Sequence, residues 1–241
     1  MIFRPMLVPT LLTVPALIIL VFLGNWQMQR LAWKENLIAQ VEAGLASDAI
    51  SLPAPDVWAT LDIEALRYTP ATVTGRFVHD SEAHIYMQSL DSQPGYHVVT
   101  PFELASGGFV LVDRGFVPIN RKNADTRPQG QIEGDTTLRG ILVTPDEANS
   151  FTPDPDLTQN IWYHRPIRQL ADVAEIAPVF PMMLDADATP NPGGLPVGGQ
   201  TRVVLNNPHL GYAMTWYGLA ATLIIIWLAF HISRGRLGLR G

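Results

Sequence analysis

The sequence predicts an α+β membrane protein, with two transmembrane helices flanking a mainly antiparallel β extracytoplasmic domain that carries one or two helices of its own. Three observations predict it. Residues 7–24 (LVPTLLTVPALIILVFLG) and 212–232 (YAMTWYGLAATLIIIWLAFHI) contain no Asp, Glu, Lys or Arg and have the length needed to cross a hydrocarbon core. The stretch between them is too polar to cross. It breaks, at Gly, Pro and Asp, into short runs rich in β-branched and aromatic residues.

The chain divides accordingly into a cytoplasmic N-terminus (residues 1–6), a transmembrane helix (7–24), a helical extension (25–46) and a periplasmic β-rich domain (47–206). A membrane-entry segment with the second transmembrane helix (207–232) and a cytoplasmic tail (233–241) complete it. The first apolar run passes straight into GNWQMQRLAWK, which offers no small-x-small cleavage site, so it reads as a retained span rather than a signal peptide. Leu37, Ile38, Val41 and Leu45 repeat at helical spacing and carry the helix onward. TPATVTGRFV, EAHIYMQSL, YHVVTPFEL, GFVLVDRGFVP, DTTLRGILVT, NIWYHR, VFPMMLDA and QTRVVLN each have strand length and composition. Ser106, Gly107 and Gly108 form the turn of a hairpin. Residues 166–177 (PIRQLADVAEIA) repeat as a helix with Pro at its start. These elements give a sheet or a partly closed barrel, and DADATPNPGGLPVGG a loop.

All 22 Asp and Glu lie between the two apolar runs, with 12 of the 16 Lys and Arg. Basic flanks set orientation, and Arg4, Arg234, Arg236 and Arg240 oppose Arg30, Lys34 and Arg202, which places both termini on the cytoplasmic side. A domain this acidic repels phosphate backbones, so nucleic acid is not an expected partner. The chain has no Cys, which excludes disulfides, thiolate chemistry and Cys-based metal sites.

Enzyme templates fail. PNPGGLPVGGQTR is Gly-rich but has Gln200 and Thr201 where a phosphate loop needs Lys and then Ser or Thr. No G-x-S-x-G elbow and no H-E-x-x-H pair occurs. Asp154 and Asp156 read as a solvated loop, and His79 and His84 as surface histidines without a third metal ligand. Gly75 and Gly115 read as bulges or close backbone approaches, and Arg76 and Arg114 as partners of the surplus carboxylates. No enzymatic activity is expected.

The informative residues stand at the ends of the apolar runs. Gln27, Arg30 and Lys34 share one face of the first helix, and Trp26, Arg30 and Trp33 the neighbouring stripe. An interfacial belt of Trp with snorkelling cations accounts for most of this, though it does not require Gln27. On the second helix His209, Tyr212 and Trp216 form one stripe, and Gly211, Thr215, Gly218 and Thr222 a face of small residues suited to packing on the first helix. From chemistry alone, His209 is either an ordinary hydrogen-bonding side chain or an iron ligand, with aromatic neighbours to cover a macrocycle and Arg30 and Arg202 to meet carboxylates.

LGNWQMQRLAWKENLIAQVE, GYHVVTPFEL, VLVDRGFVP, TRPQGQIEGD and GGLPVGGQTRVVLNNPHLGYAMTWYGLAAT, in that order across nearly the whole chain, resemble the Surfeit locus protein 1 (Shy-type) family of cytochrome c oxidase assembly factors. Asp113 in VLVDRGFVP departs from the Asn of that pattern. The resemblance implies two spans and an outward-facing domain in the mitochondrial inner or bacterial cytoplasmic membrane, with a role in maturing the haem-bearing largest oxidase subunit. The absence of an Arg- and Ser-rich presequence favours the bacterial cytoplasmic (inner) membrane. It further implies transient binding of haem a, delivered by haem a synthase, with His209 as the iron ligand and Tyr212, Trp216, Trp26, Arg30 and Arg202 around it. The partners expected are then the largest subunit, the synthase and the lipid bilayer. A non-haem scaffold that stabilises an oxidase assembly intermediate is the alternative.

Overall fold

The computed structural model describes residues 2–146, 148–201 and 207–238. Two compact units emerge, residues 41–203 and the pair of chain ends, 1–40 with 204–241.

The terminal unit contains helix α1 (Leu7–Leu45) and helix α2 (His209–Ser233), each long and apolar enough to cross a membrane. Their side chains are largely uncovered, as Leu7, Leu12, Phe22, Met214 and Ile225 illustrate, unlike those of a core helix in a water-soluble fold. The two run antiparallel, since Trp227 Nε1 donates to Thr10 Oγ1 at 3.2 Å and Tyr217 Oη to Asn25 Oδ1 at 2.7 Å. A two-residue pairing, β1 (Ile2–Phe3) with β2 (Leu237–Gly238), joins the chain ends.

The helix face that packs differs from the one expected of small residues. Gly211 and Gly218 face open space, and Thr215 and Thr222 turn their hydroxyls back to the carbonyls of Gly211 and Gly218. The buried positions of α2 are Ala213, Ala220 and His231, with the Tyr217 ring lying where a side chain at Gly24 would be. Close approach is obtained from Gly24 on the first helix and from two Ala on the second.

The middle unit is a β domain. In chain order its strands are β3 (Ile50–Ser51), β4 (Pro70–Phe77), β5 (Ala83–Gln88), β6 (Pro94–Leu104), β7 (Phe109–Pro118), β8 (Thr136–Val143), β9 (Ile161–Trp162) and β10 (Val179–Ala186). The hydrogen-bonded order β4-β8-β10-β7-β6 returns to β4 through Gly75↔Leu104 and Phe77↔Phe102, so five strands close a barrel. Pairing is antiparallel around this ring except between β7 and β10. β6 is long enough to serve twice, with one half on β5 and the other on β4. The short β9 and β3 extend the sheet at its two ends.

Every barrel strand contributes to one apolar cluster, including Val73, Phe102, Val110, Leu142 and Phe180, which places that cluster in the barrel interior. A second cluster on the outer face joins Ile85, Leu111, Trp162 and Met183 to helix α3 (Ile167–Val173). Strands β7 and β10 are thus buried on both faces, which is why VLV and FPMML read as continuous apolar runs rather than alternating ones. Helix α3 is shorter than the periodicity predicts, because the chain leaves helical geometry at Glu175, whose φ is +54°. The QTRVVLN strand lies mostly outside the described residues, and Gln200 and Thr201 are not in a strand.

Two glycines make closure possible. A Cβ on Gly75 would stand 1.9 Å from the Glu103 carbonyl oxygen, at the seam where β4 meets β6. Gly115, at φ +110°, belongs to a bulge in which Arg114 and Gly115 oppose a single residue of β6, and its Cβ would stand 1.9 Å from the Val197 oxygen. Gly115→Ala therefore meets a backbone clash and an unfavourable φ together. The expected outcome is a loss of at least about 2 kcal/mol, read as a lowered Tm of the detergent-solubilised chain. An unchanged Tm contradicts the assignment of this bulge.

Candidate functional site

The start of α2 and the turn of α1 that it meets hold the residues singled out in the sequence. His209 is the first residue of α2, and its Nδ1–H donates to Gln27 Oε1 of α1 at 2.6 Å. Gln27 is 8% exposed, a buried polar side chain whose partner comes from the other end of the chain. Asn207 Nδ2 adds a long contact, 3.5 Å, to the Leu31 carbonyl. His209 itself is half-buried, and its Nε2 has no hydrogen-bond partner among the described residues.

Around this contact the predicted residues separate into two groups. His209 meets the turn of α1 that carries Trp26 and Gln27. Trp26 and Tyr212 are exposed and Trp216 is half-buried. The Arg30 guanidinium lies 4.4 Å from the Trp33 ring centroid on its own helix, and no carboxylate pairs with it among the described residues. Arg202 lies outside the described residues. Gln27 was visible in the sequence as the one residue a belt does not need; its partner was not.

The other helix-borne histidine is committed at both nitrogens. His231 is fully buried; its Nδ1–H donates to the Trp227 carbonyl at 2.8 Å, and its Nε2 accepts the Met6 backbone N–H at 3.1 Å. That N–H is among those a helix start leaves unpaired, so His231 caps α1 from the opposite helix. Its ring lies 4.1 Å from that of Trp227. His231 is structural, whereas the Nε2 of His209 has no partner among the described residues.

The β domain holds a second polar centre that sequence reasoning missed. Asp113 Oδ2 accepts His97 Nδ1–H at 2.7 Å and Arg165 Nη2–H at 2.9 Å, and Asp113 Oδ1 accepts the Gly115 N–H at 2.9 Å. Arg165 Nη1 also reaches both oxygens of Asp185 at 3.0 Å, and Thr201 donates to Asp185 Oδ2 at 2.8 Å. Asp113 is therefore the hub of a buried network, which gives a use to the carboxylate found in place of Asn. Burial pushes the Asp113 carboxyl up, but the adjacent His97 and Arg165 more than offset this and hold it below its ordinary range. Two carboxylates share one guanidinium, and burial with the Asp113 charge pushes Asp185 up to about 6 despite Arg165. Asp185 and Arg165 line a cavity of about 400 Å³ together with Arg67, Gln88, Asp146 and Tyr68, the last at φ +62°.

Other expectations are corrected here. His84 is not a surface residue; it is buried, with Nε2 beside Glu82 at 3.1 Å and the Lys122 carbonyl at 2.9 Å, and Glu82 pairs with the buried Arg127. His79 is half-buried against the Ile132 carbonyl at 2.8 Å. Arg76 does pair with a carboxylate, Glu103 at 2.7 Å, but Arg114 pairs with none among the described residues. It is buried by the bulge, stacks 4.5 Å from the Phe77 centroid and donates to the Gly130 carbonyl, and burial pushes its pKa down to about 10. Among the described residues no cluster of three His, Asp or Glu could hold a metal ion. A lone His209 fits only a metal that brings its own remaining ligands, as a porphyrin does.

Two helices fit to cross a membrane, tied by buried polar contacts, with a β-barrel domain inserted between them in sequence, define the class of protein. The SURF1 family model matches residues 14–221. Surfeit locus protein 1 of Mus musculus is 36% identical over 227 residues, covering 88% of this chain and 72% of that protein. The Homo sapiens protein of that name is 36% identical over 221 residues, covering 85% and 71%. The SURF1-like protein of Monosiga brevicollis is 36% identical over 242 aligned residues, covering 95% and 90%. The chain belongs to the SURF1 family.

The raised Asp185 has a measurable consequence. A group lifted from an unfolded value of about 3.9 to about 6 adds stability that is fully present below pH 4 and lost as pH rises through 6. Asp185→Asn removes that contribution, so the stability of the variant relative to its parent rises between pH 4 and 6 by on the order of 2 kcal/mol. Thermal unfolding of both chains across that range reads it, and a difference independent of pH contradicts it.

Proposed function

We propose that this chain is an assembly factor for cytochrome c oxidase that spans a membrane twice and holds haem a at the outer ends of its paired helices before insertion into the largest oxidase subunit. It acts as a carrier rather than an enzyme. The observation that carries the reading is the contrast between the two helix histidines, since His231 has both nitrogens committed and the His209 Nε2 has no partner among the described residues. Haem a is cargo here, and its iron takes the His209 Nε2 lone pair as one axial ligand.

The surrounding residues fit that cargo. Trp26, Tyr212 and Trp216 offer flat apolar surface to a macrocycle, and Arg30, with which no carboxylate pairs among the described residues, together with Arg202 by its place in the sequence, offers charge-assisted donors for propionates. The uncovered apolar flanks of the helices suit a farnesyl tail lying in lipid. A single protein ligand suits a carrier that must release its load. Haem a synthase is the expected donor, and both termini lie inside by the basic flanks, with the β domain outside. A bacterial cytoplasmic membrane is our reading of the compartment; the Mus, Homo and Monosiga relatives are eukaryotic, and fractionation of native cells decides it.

The test is the absorption spectrum of the full chain purified in detergent from a host that makes haem a. The parent is expected to carry haem at near-equal ratio, and His209→Ala to lose about tenfold or more in occupancy or to change its iron coordination. Occupancy and coordination both unchanged in His209→Ala would contradict the ligand assignment. A parent that carries no haem would leave a scaffold for an oxidase assembly intermediate.

A further inference from the structure

We propose that Gln27 sets how tightly His209 holds its cargo, by accepting the imidazole Nδ1–H in a neutral hydrogen bond that keeps Nε2 bare but leaves it a weak donor. The inference rests on the haem reading above and names the residue that controls the lifetime of the complex.

A neutral imidazole carries one proton, and the partner of one nitrogen decides which nitrogen is free. Here the partner is an amide oxygen at 2.6 Å, an acceptor, so the proton stays on Nδ1 and the lone pair points from Nε2. Gln27 is buried on α1, and its amide oxygen meets the ring across the helix pair. An apolar residue there would support helix packing equally well but would leave the Nδ1 proton unplaced in an apolar setting, with the tautomer unfixed.

The strength of the ligand follows from the acceptor. A carboxylate pulls the Nδ1 proton toward itself, makes the ring more anionic and strengthens its hold on ferric iron; such outer partners are worth about 10- to 100-fold in metal affinity. An amide oxygen is a milder acceptor. It aims the ligand without hardening the iron–nitrogen bond, which is the property required of a group that must let go. Gln27 is in this sense a positioning residue and touches no cargo itself.

The experiment loads the full chain in lipid nanodiscs with haem a and compares the parent with Gln27→Glu and Gln27→Leu. Two quantities are read: the midpoint potential of the bound iron, and the rate of ferric haem loss to excess apomyoglobin. Gln27→Glu is expected to shift the potential downward and slow the loss about tenfold, and Gln27→Leu to speed it about tenfold. Only folded, loaded Gln27→Glu protein contributes to its potential, so a poorly folded Gln27→Leu does not silence the test. If His209→Ala abolishes coordination while both Gln27 variants keep the parent's potential and loss rate, the inference is overturned and the haem reading stands. If the parent shows no coordination by His209, both fall.

Discussion

The hydrogen bond between His209 and Gln27 is the constraint on which the site at the start of α2 depends. Two helices in lipid have little apolar driving force to stay together, because hydrocarbon solvates Leu as well as another Leu does. What they gain from pairing is packing and the satisfaction of polar groups that lipid cannot satisfy. This pair places such groups near both ends: His209 with Gln27 at one, His231 with the Met6 N–H at the start of α1 at the other, and Tyr217 with Asn25 between them. Each contact joins residues from opposite ends of the chain.

The two histidines show how one side chain serves two purposes. At His231 both ring nitrogens are spent, one on a carbonyl and one on the Met6 N–H, and the ring is sealed against Trp227. At His209 one nitrogen is spent, and the other has no partner among the described residues. The difference arises from what stands opposite: at His231 a backbone donor that needs an acceptor, at His209 a side-chain acceptor that fixes a proton. Within the β domain the same economy of polar groups recurs at Asp113, which gathers a histidine, an arginine and a bulge N–H. The bulge that turns Arg114 onto Phe77 also presents the Gly115 N–H to that carboxylate.

Much of this was legible in the sequence, and the losses have physical causes. Charge-free length marked α1 and α2, and turn residues with β-branched runs marked most strands, because those signals are local. Gly75 and Gly115 stood out because only Gly permits such close backbone approach. The packing face of α2 was misread because a Gly/Thr stripe and an Ala stripe are equally small; Thr215 and Thr222 satisfy themselves on their own helix, leaving Ala213 and Ala220 to approach the partner. His84 was misread as exposed because Arg127, which pairs with the neighbouring Glu82, and the Lys122 carbonyl are remote from it in sequence. The network of His97, Asp113, Arg165 and Asp185 uses four separate segments, and no spacing rule unites them. Gln27 was conspicuous as unexplained, and only the helix pairing supplied its partner.

Nitrogen NMR of the chain with 15N-labelled histidine, in lipid and without haem, reads the lock on the His209 imidazole directly. The His209 signals are identified by their loss in His209→Asn. One protonated, hydrogen-bonded Nδ1 and one bare Nε2 in slow exchange with solvent are expected. A proton on Nε2, or two nitrogens averaged by rapid tautomer exchange, would show that the paired helices do not aim this ring.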